Sequence, residues 1–195
     1  MDFLEIYDNS LTKKECDNII ELFEAHSHIH HKGLAGGDYD PKKKKSKSLD
    51  FTVDQTRWQG RDRAVATILM PALNKAINKY KKKYHLLENI QAWGLNTDYH
   101  MQRMDKGDGY FVIHCEQELE TSTRLIAWMF YLNNAKCGTR FHYQNRTIKA
   151  RRGRLLLWPC GWTHMHNGVV PNIDPKYIMT GWYSFYDESK WVQIK

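Results

Sequence analysis

Gly107-Asp-Gly109-Tyr110-Phe-Val-Ile-His114-Cys115-Glu116 is the stretch on which the reading of this chain turns. Its glycines and aspartate read as a turn, and the aromatic and β-branched residues after them read as a strand. On a strand, side chains at i and i+2 share a face. His114 and Glu116 can therefore reach one ion, while Cys115 points to the other side. A second i, i+2 pair, His164 and His166, follows downstream, and spacing leaves either free to complete the site. Two imidazoles and one carboxylate can hold a divalent iron on one face and leave the opposite positions open. Lys176 could then neutralise an anion bound beside the metal. The rival arrangement is a closed structural zinc site, which needs four protein ligands; His114, Glu116, His164 and His166 could supply them.

Working outward, residues 91–96, 125–132, 138–143, 155–158, 163–169 and 177–186 also read as strands, as does 110–116. Asn133-Asn134, Arg152-Gly153 and Pro171-Asn172 mark turns between them. Many short strands at regular intervals predict a sandwich or barrel. Upstream the period changes. Ser10 or Thr12 caps a helix carrying Cys16, Ile19, Ile20, Leu22 and Phe23, which should end between His26 and His31. Residues 32–50 read as a polar loop rich in glycine and lysine. Residues 54–84 form a second helical stretch, with Ala64, Ile68, Leu69, Leu73, Ile77 and Tyr80 on one face and Pro71 kinking or splitting it. The fold class expected is α+β, mainly β: a double-stranded β-helix (jelly roll) supported by N-terminal helices.

The 195 residues suit a single domain, 1–195, with helical support over 1–88 and the jelly-roll core over 89–186. Hydrophobic residues make up 42%, with seven Trp and eleven Tyr, which excludes a disordered chain. Four scattered cysteines do not form a secreted disulfide framework. The N-terminus lacks the pattern of a signal peptide, and no apolar run approaches the ~20 residues of a membrane span. A reducing, cytoplasmic setting is expected. The net charge of +7 concentrates in Lys42, Lys43, Lys44, Lys45 and Lys47, in Lys81, Lys82 and Lys83, and in Arg151, Arg152 and Arg154. Such runs read as solvated faces before they read as a nucleic-acid surface. The cluster His26, His28, His30 and His31 reads as solvated surface as well.

Several pieces in order resemble the iron(II)- and 2-oxoglutarate-dependent oxygenases, in particular the prolyl 4-hydroxylase-like branch, over residues 89–186. The family's Gly turn, Tyr and His-x-Asp correspond to the stretch quoted first. A strand ending in Tyr-Leu-Asn is matched by Arg124 through Tyr131-Leu132-Asn133, and a Gly-x-Thr-x-Phe-like turn by Gly138-Thr139-Arg140-Phe141. A run into Phe-Pro corresponds to Ile148 through Trp158-Pro159. The closing pattern corresponds to His166-Asn167-Gly168, Pro171, Lys176 and Gly181-Trp182. The short stand-alone form is similar to oxygenases carried by phages and large viruses, for which the compartment would be the host cytoplasm.

That register selects His166 over His164 as the distal ligand. It implies Fe(II) on His114, Glu116 and His166, and 2-oxoglutarate with its far carboxylate on Lys176 and on the Tyr131 hydroxyl. It further implies molecular oxygen as co-substrate, ascorbate as reductant, and a peptide or protein substrate, proline above all. The loop at 32–50 lies where relatives grip substrates, so its lysines could attract an acidic chain. Two positions depart from the family pattern. Glu116 stands in place of Asp, one methylene longer. Met104 stands where relatives carry a Tyr near the co-substrate; Met cannot donate a hydrogen bond, which leaves Tyr99 as the candidate to compensate. The alternatives are a non-catalytic or zinc-binding jelly-roll module, and a nucleic-acid oxygenase of the same superfamily. The latter rests on charge alone, and Lys176 stands where such enzymes typically use Arg.

Overall fold

Thr12 is the cap of the first helix. In a computed structural model describing residues 2–57 and 59–186, the Glu15 amide donates to the Thr12 hydroxyl at 3.2 Å and the Thr12 amide to the Glu15 carboxylate at 2.7 Å. This reciprocal capping box satisfies two amides that a helix start leaves open. A short strand β1 (Glu5–Tyr7) precedes this helix, α1 (Lys13–Ala25), which buries Cys16, Ile19 and Phe23. Residue 1 and residues 187–195, the ends of the expected single unit, lie outside the described residues, as does position 58 in the second helical stretch.

The loop expected over 32–50 is largely built into sheets. It contains β2 (His31–Lys32), β3 (Lys44–Lys45) and β4 (Lys47–Thr52). β4 buries Leu49 and Phe51 and exposes Lys47 and Asp50; the lysine run leading into it masks the strand in the sequence. The second helix, α2 (Gly60–Lys83), starts later than expected, at a capping box between Gln59 and Asp62. It runs unbroken through Pro71. Proline costs a helix interior about 3 kcal/mol, but Val65, Leu69, Leu73, Ala76, Ile77 and Tyr80 are buried along both halves, and that packing offsets the missing bond. Val65, not Ala64, is the inward residue of the first turns.

The remaining elements are β5 (Trp93–Leu95), β6 (Asp98–Met104), β7 (Gly109–Tyr110), β8 (Arg124–Tyr131), β9 (Gly138–Phe141), β10 (Arg146–Lys149), β11 (Arg154–Pro159), β12 (His166–Val169) and β13 (Lys176–Phe185). β6 and β10 were not expected as strands. The major sheet has the order β1-β11-β8-β13-β6-β4-β2, with β5 also on β13. A minor sheet, β10-β9-β12, packs across it, and β3 pairs with β7. All these pairings are antiparallel. This is the mainly-β jelly roll with helical support that the pattern predicts.

Period two sorts the two cores. Ile126, Trp128 and Phe130 of β8, with Tyr99 and Met101 of β6 and Met179 and Tyr183 of β13, pack against α1 and α2. The residues between them, Met129, Tyr131, Met104, Ile178 and Trp182, face the minor sheet with Phe141 and Ile148. Gly153 closes the turn between β10 and β11 at φ 73°; a Cβ there would lie 2.2 Å from the Leu11 carbonyl, so only glycine allows the start of α1 to dock.

Candidate metal and co-substrate site

Of the expected strand over 110–116, only Tyr110 lies in a strand, as the end of β7. Beyond it, His114 makes a single antiparallel bridge to His166 at the start of β12. The two residues exchange backbone hydrogen bonds, His114 N–H to His166 C=O at 2.9 Å and the reverse at 2.8 Å. That single bridge anchors His114 beside His166 without a ladder. Glu116 is fixed in turn by its amide, which donates to the Cys160 carbonyl at the end of β11.

The three side chains converge. Glu116 Oε1 lies 3.1 Å from His166 Nε2 and 3.9 Å from His114 Nε2. One ligand atom from each of the three falls within 4.8 Å of the others. Each imidazole has its Nδ1 on a backbone carbonyl, His114 on Val112 at 3.0 Å and His166 on His164 at 2.9 Å. Carbonyls only accept, so each Nδ1 carries a proton, and each Nε2 is the ring atom turned toward Glu116. Burial, with His166 beside it, pushes the His114 imidazole down to about 4, which keeps it neutral. Burial would raise the Glu116 carboxyl, but His166, His114 and Arg124 hold it well below the usual range. Two imidazoles and a carboxylate fit Fe(II).

His164, the rival ligand, faces elsewhere. It lies in a 3-10 turn, Trp162–His164, and not on the strand expected over 163–169, so the shared-face argument does not apply to it. Its Nε2 bonds the Asp2 carbonyl at 2.7 Å and its Nδ1 the Thr163 hydroxyl at 2.9 Å. Among the described residues the four-ligand zinc set is therefore not brought together.

The longer ligand is braced from behind. Trp182 Nε1–H donates to Glu116 Oε2 at 3.0 Å, and the Arg124 guanidinium stands 3.9 Å from that oxygen. Arg124 in turn lies 3.5 Å over the Trp182 ring and donates to the Glu116 carbonyl at 3.2 Å. The imidazoles are walled by aromatics. Tyr110 stacks on His114 at 3.7 Å, Phe141 stacks on His166 at 5.2 Å, and Trp158 meets His166 edge-on at 5.3 Å.

The three candidate ligands, with Tyr110, Arg124, Trp158 and Trp182, line a cavity of about 490 Å³ that reaches to Lys176. Lys176 is 2% exposed, and its Nζ makes one long hydrogen bond, 3.4 Å to the Gly138 carbonyl. Burial pushes its pKa down. A buried ammonium so poorly satisfied calls for an anion. Gly168 packs close to that Nζ and to the Tyr110 backbone.

Two expected co-substrate residues stand differently. Tyr131 is fully buried and does not line the cavity; its hydroxyl bonds Thr139 Oγ1 at 2.7 Å, and Thr139 lines the cavity instead. Tyr99 is a correction. On β6, odd residues face the helices, so its ring packs on Phe51 and Trp128 and its hydroxyl is buried without a partner. Its neighbours His100, Gln102 and Met104 line the cavity, and Met104 sits opposite Lys176 in the β6–β13 register.

Sequence reasoning passed over Arg124 and Thr139 as site residues, and Trp182 as more than the end of a motif. The period-two count from Lys176 through Ile178 and Thr180 to Trp182 was the available signal. Nothing local marks Arg124, which opens β8.

Residues 99–184 match the family described as the 2OG-Fe(II) oxygenase superfamily. No curated protein matches the chain. Among solved structures, similarity extends to the viral collagen prolyl hydroxylase of Paramecium bursaria Chlorella virus-1 in complex with 2OG. That match has 18% identity and a TM-score of 0.70, over 94% of this chain and 97% of that one. A prolyl-4-hydroxylase of Pseudomonas putida is 15% identical with a TM-score of 0.66, over 93% and 92%. A prolyl hydroxylase of Trichoplax adhaerens, in complex with a hypoxia inducible factor peptide fragment, is 18% identical with a TM-score of 0.73, over 94% and 84%. At these identities the likeness speaks for the fold.

Proposed function

We propose, from the premise that residues 99–184 make this chain a member of the 2OG-Fe(II) oxygenase superfamily, that it hydroxylates a prolyl residue of a peptide or protein. Its cofactors are Fe(II) and 2-oxoglutarate. The observation that carries the reading is the convergence of His114, Glu116 and His166 in one cavity with the buried, nearly unpaired Lys176. That the structures similar in fold are prolyl hydroxylases supports the choice of proline.

When bound, iron with 2-oxoglutarate and oxygen supplies the oxidising chemistry, which converts substrate C–H to C–OH and releases succinate and carbon dioxide. The chain's part is to hold and orient. His114, Glu116 and His166 provide one face of ligands. Lys176 pairs the far carboxylate of 2-oxoglutarate, with the Thr139 hydroxyl beside it and Tyr131 behind Thr139. Trp182 and Arg124 fix the free oxygen of Glu116, which offsets the extra methylene of this ligand. The aromatic rings around the imidazoles keep water from their outer faces. Four cysteines, none of them in a disulfide, support the cytoplasmic reading. Among the described residues no helix is long and apolar enough to cross a membrane.

The test is a succinate-release assay with iron and 2-oxoglutarate across a panel of proline-containing peptides. Glu116→Ala and His166→Ala should each abolish substrate-dependent succinate formation. If both variants kept it, the assignment of the ligands would be wrong.

A further inference from the structure

The lysine run in the loop expected to contact substrate does not behave as one solvated face. Lys45 pairs with Asp108 at 2.8 Å and Lys47 with Asp105 at 3.3 Å. β3 pairs with β7, setting Lys44 opposite Tyr110 and Lys45 opposite Gly109, and the Phe111 amide donates to the Lys43 carbonyl at 2.8 Å. The strap is thus fixed along the turn that leads into the ligands. Because strand residues alternate, the paired Lys45 faces outward and Lys44 faces inward.

Lys44 is 6% exposed and lines the cavity. Its stem packs on Gly33, where a Cβ would lie 3.1 Å from Lys44 Cε. Its Nζ stands 5.1 Å over the ring of Tyr110, which itself stacks on His114. Among the described residues it has no hydrogen bond and no ion pair. Burial pushes its pKa down to about 8, against the attraction of Glu116 and Asp50. An ammonium largely withdrawn from water, with an aromatic face but no acid in hydrogen-bond reach, favours an anion joining it. On the proposed function, the two carboxylates of 2-oxoglutarate would be met by the iron and by Lys176. Elsewhere the cavity is lined by the exposed acids Glu118 and Glu120, which turn an anionic group away from their side and toward Lys44.

Resting on the hydroxylase reading, we infer that Lys44 is a second anion subsite, which binds a substrate carboxylate adjacent to the residue being hydroxylated. The substrate class is then an acidic prolyl peptide, or free proline through its own carboxylate.

The test uses the full chain loaded with Mn²⁺ and 2-oxoglutarate and measures equilibrium binding of blocked prolyl peptides that differ only in Glu or Gln beside the proline. L-proline and prolinamide form a second pair. In one pair at least, the acid should bind about tenfold more tightly than its amide, the worth of one modest charge contact. Lys44→Met should erase that difference, Lys44→Arg should keep most of it, and 2-oxoglutarate affinity should hold in both. Which pair responds identifies the source of the carboxylate. Equal binding of acid and amide in both pairs, or no binding of any acid, overturns the subsite. Loss of 2-oxoglutarate affinity in Lys44→Met matching any loss of peptide affinity overturns it too, by assigning Lys44 to the cofactor. Mass spectrometry on the same peptides with iron separates the two readings. Binding with a Lys44-dependent preference but no hydroxylation removes the hydroxylase reading and leaves the subsite. Hydroxylation without preference does the reverse.

Discussion

On β8 and β13, Trp128, Phe130, Met179 and Tyr183 face the helices, while Met129, Ile178, Thr180 and Trp182, one residue along, face the cavity. The same strands therefore serve two surfaces that use burial differently. The helix side buries apolar bulk. Three polar atoms in the middle of that sheet face, Tyr99 Oη, Trp128 Nε1 and Tyr183 Oη, are left without hydrogen-bond partners, so these rings act as filling. The cavity side buries groups that await a partner: among the described residues, Lys176 has one long side-chain hydrogen bond and Lys44 Nζ has none. A shift of one residue in register would exchange these roles. Stability and chemistry are thus separable by side of the sheet, and that separation can be tested.

The largest effect is expected on the helix side. Phe130→Ala should cost about 3–5 kcal/mol of unfolding free energy in urea, from lost burial plus a cavity. The metal and 2-oxoglutarate affinities of the molecules that stay folded should hold. A large loss of those affinities would mean the two faces are coupled. Next, Lys176→Met should weaken 2-oxoglutarate binding by about 2–5 kcal/mol, the usual worth of a partner lost from a buried charge pair. Unfolding free energy should hold or rise, because an apolar chain of similar length replaces an ill-paired ammonium. Marked destabilisation would break the comparison from the cavity side. The smallest effect belongs to Trp182→Phe, which keeps the ring under Arg124 and removes only the N–H on Glu116. Metal affinity, followed by Mn²⁺ titration, should fall about tenfold, as for other groups that orient a ligand from behind. The same change in a Glu116→Asp background should be nearly silent if the bond compensates for the longer side chain.

Most of the fold was legible because hydrophobic period is local. α1, the face of α2, and strands β8, β11 and β13 follow from it. β4 was hidden by lysines that turn outward, and β6 by polar residues, His100 and Gln102, that line a cavity instead of a core. Tyr99 was misplaced for the same reason: without β6 as a strand, nothing assigned it a face. Pro71 reads as a break in any local view. Only the packing of both halves of α2 on one sheet keeps the helix whole.

The chain by itself supplied the candidates His114, Glu116 and Lys176, because residue type and order are written in it, as is the alternation that gives β8 and β13 two faces. It could not choose between His164 and His166 by spacing, since both sit at i and i+2. Tertiary structure decided that choice by winding residues 162–164 into a turn tied to Asp2 and bridging His166 to His114. It also decided the bracing of Glu116 by Trp182 and Arg124, and the inward turn of Lys44 within a run of like residues. Each of these depends on contacts between segments distant in sequence, which no local pattern encodes.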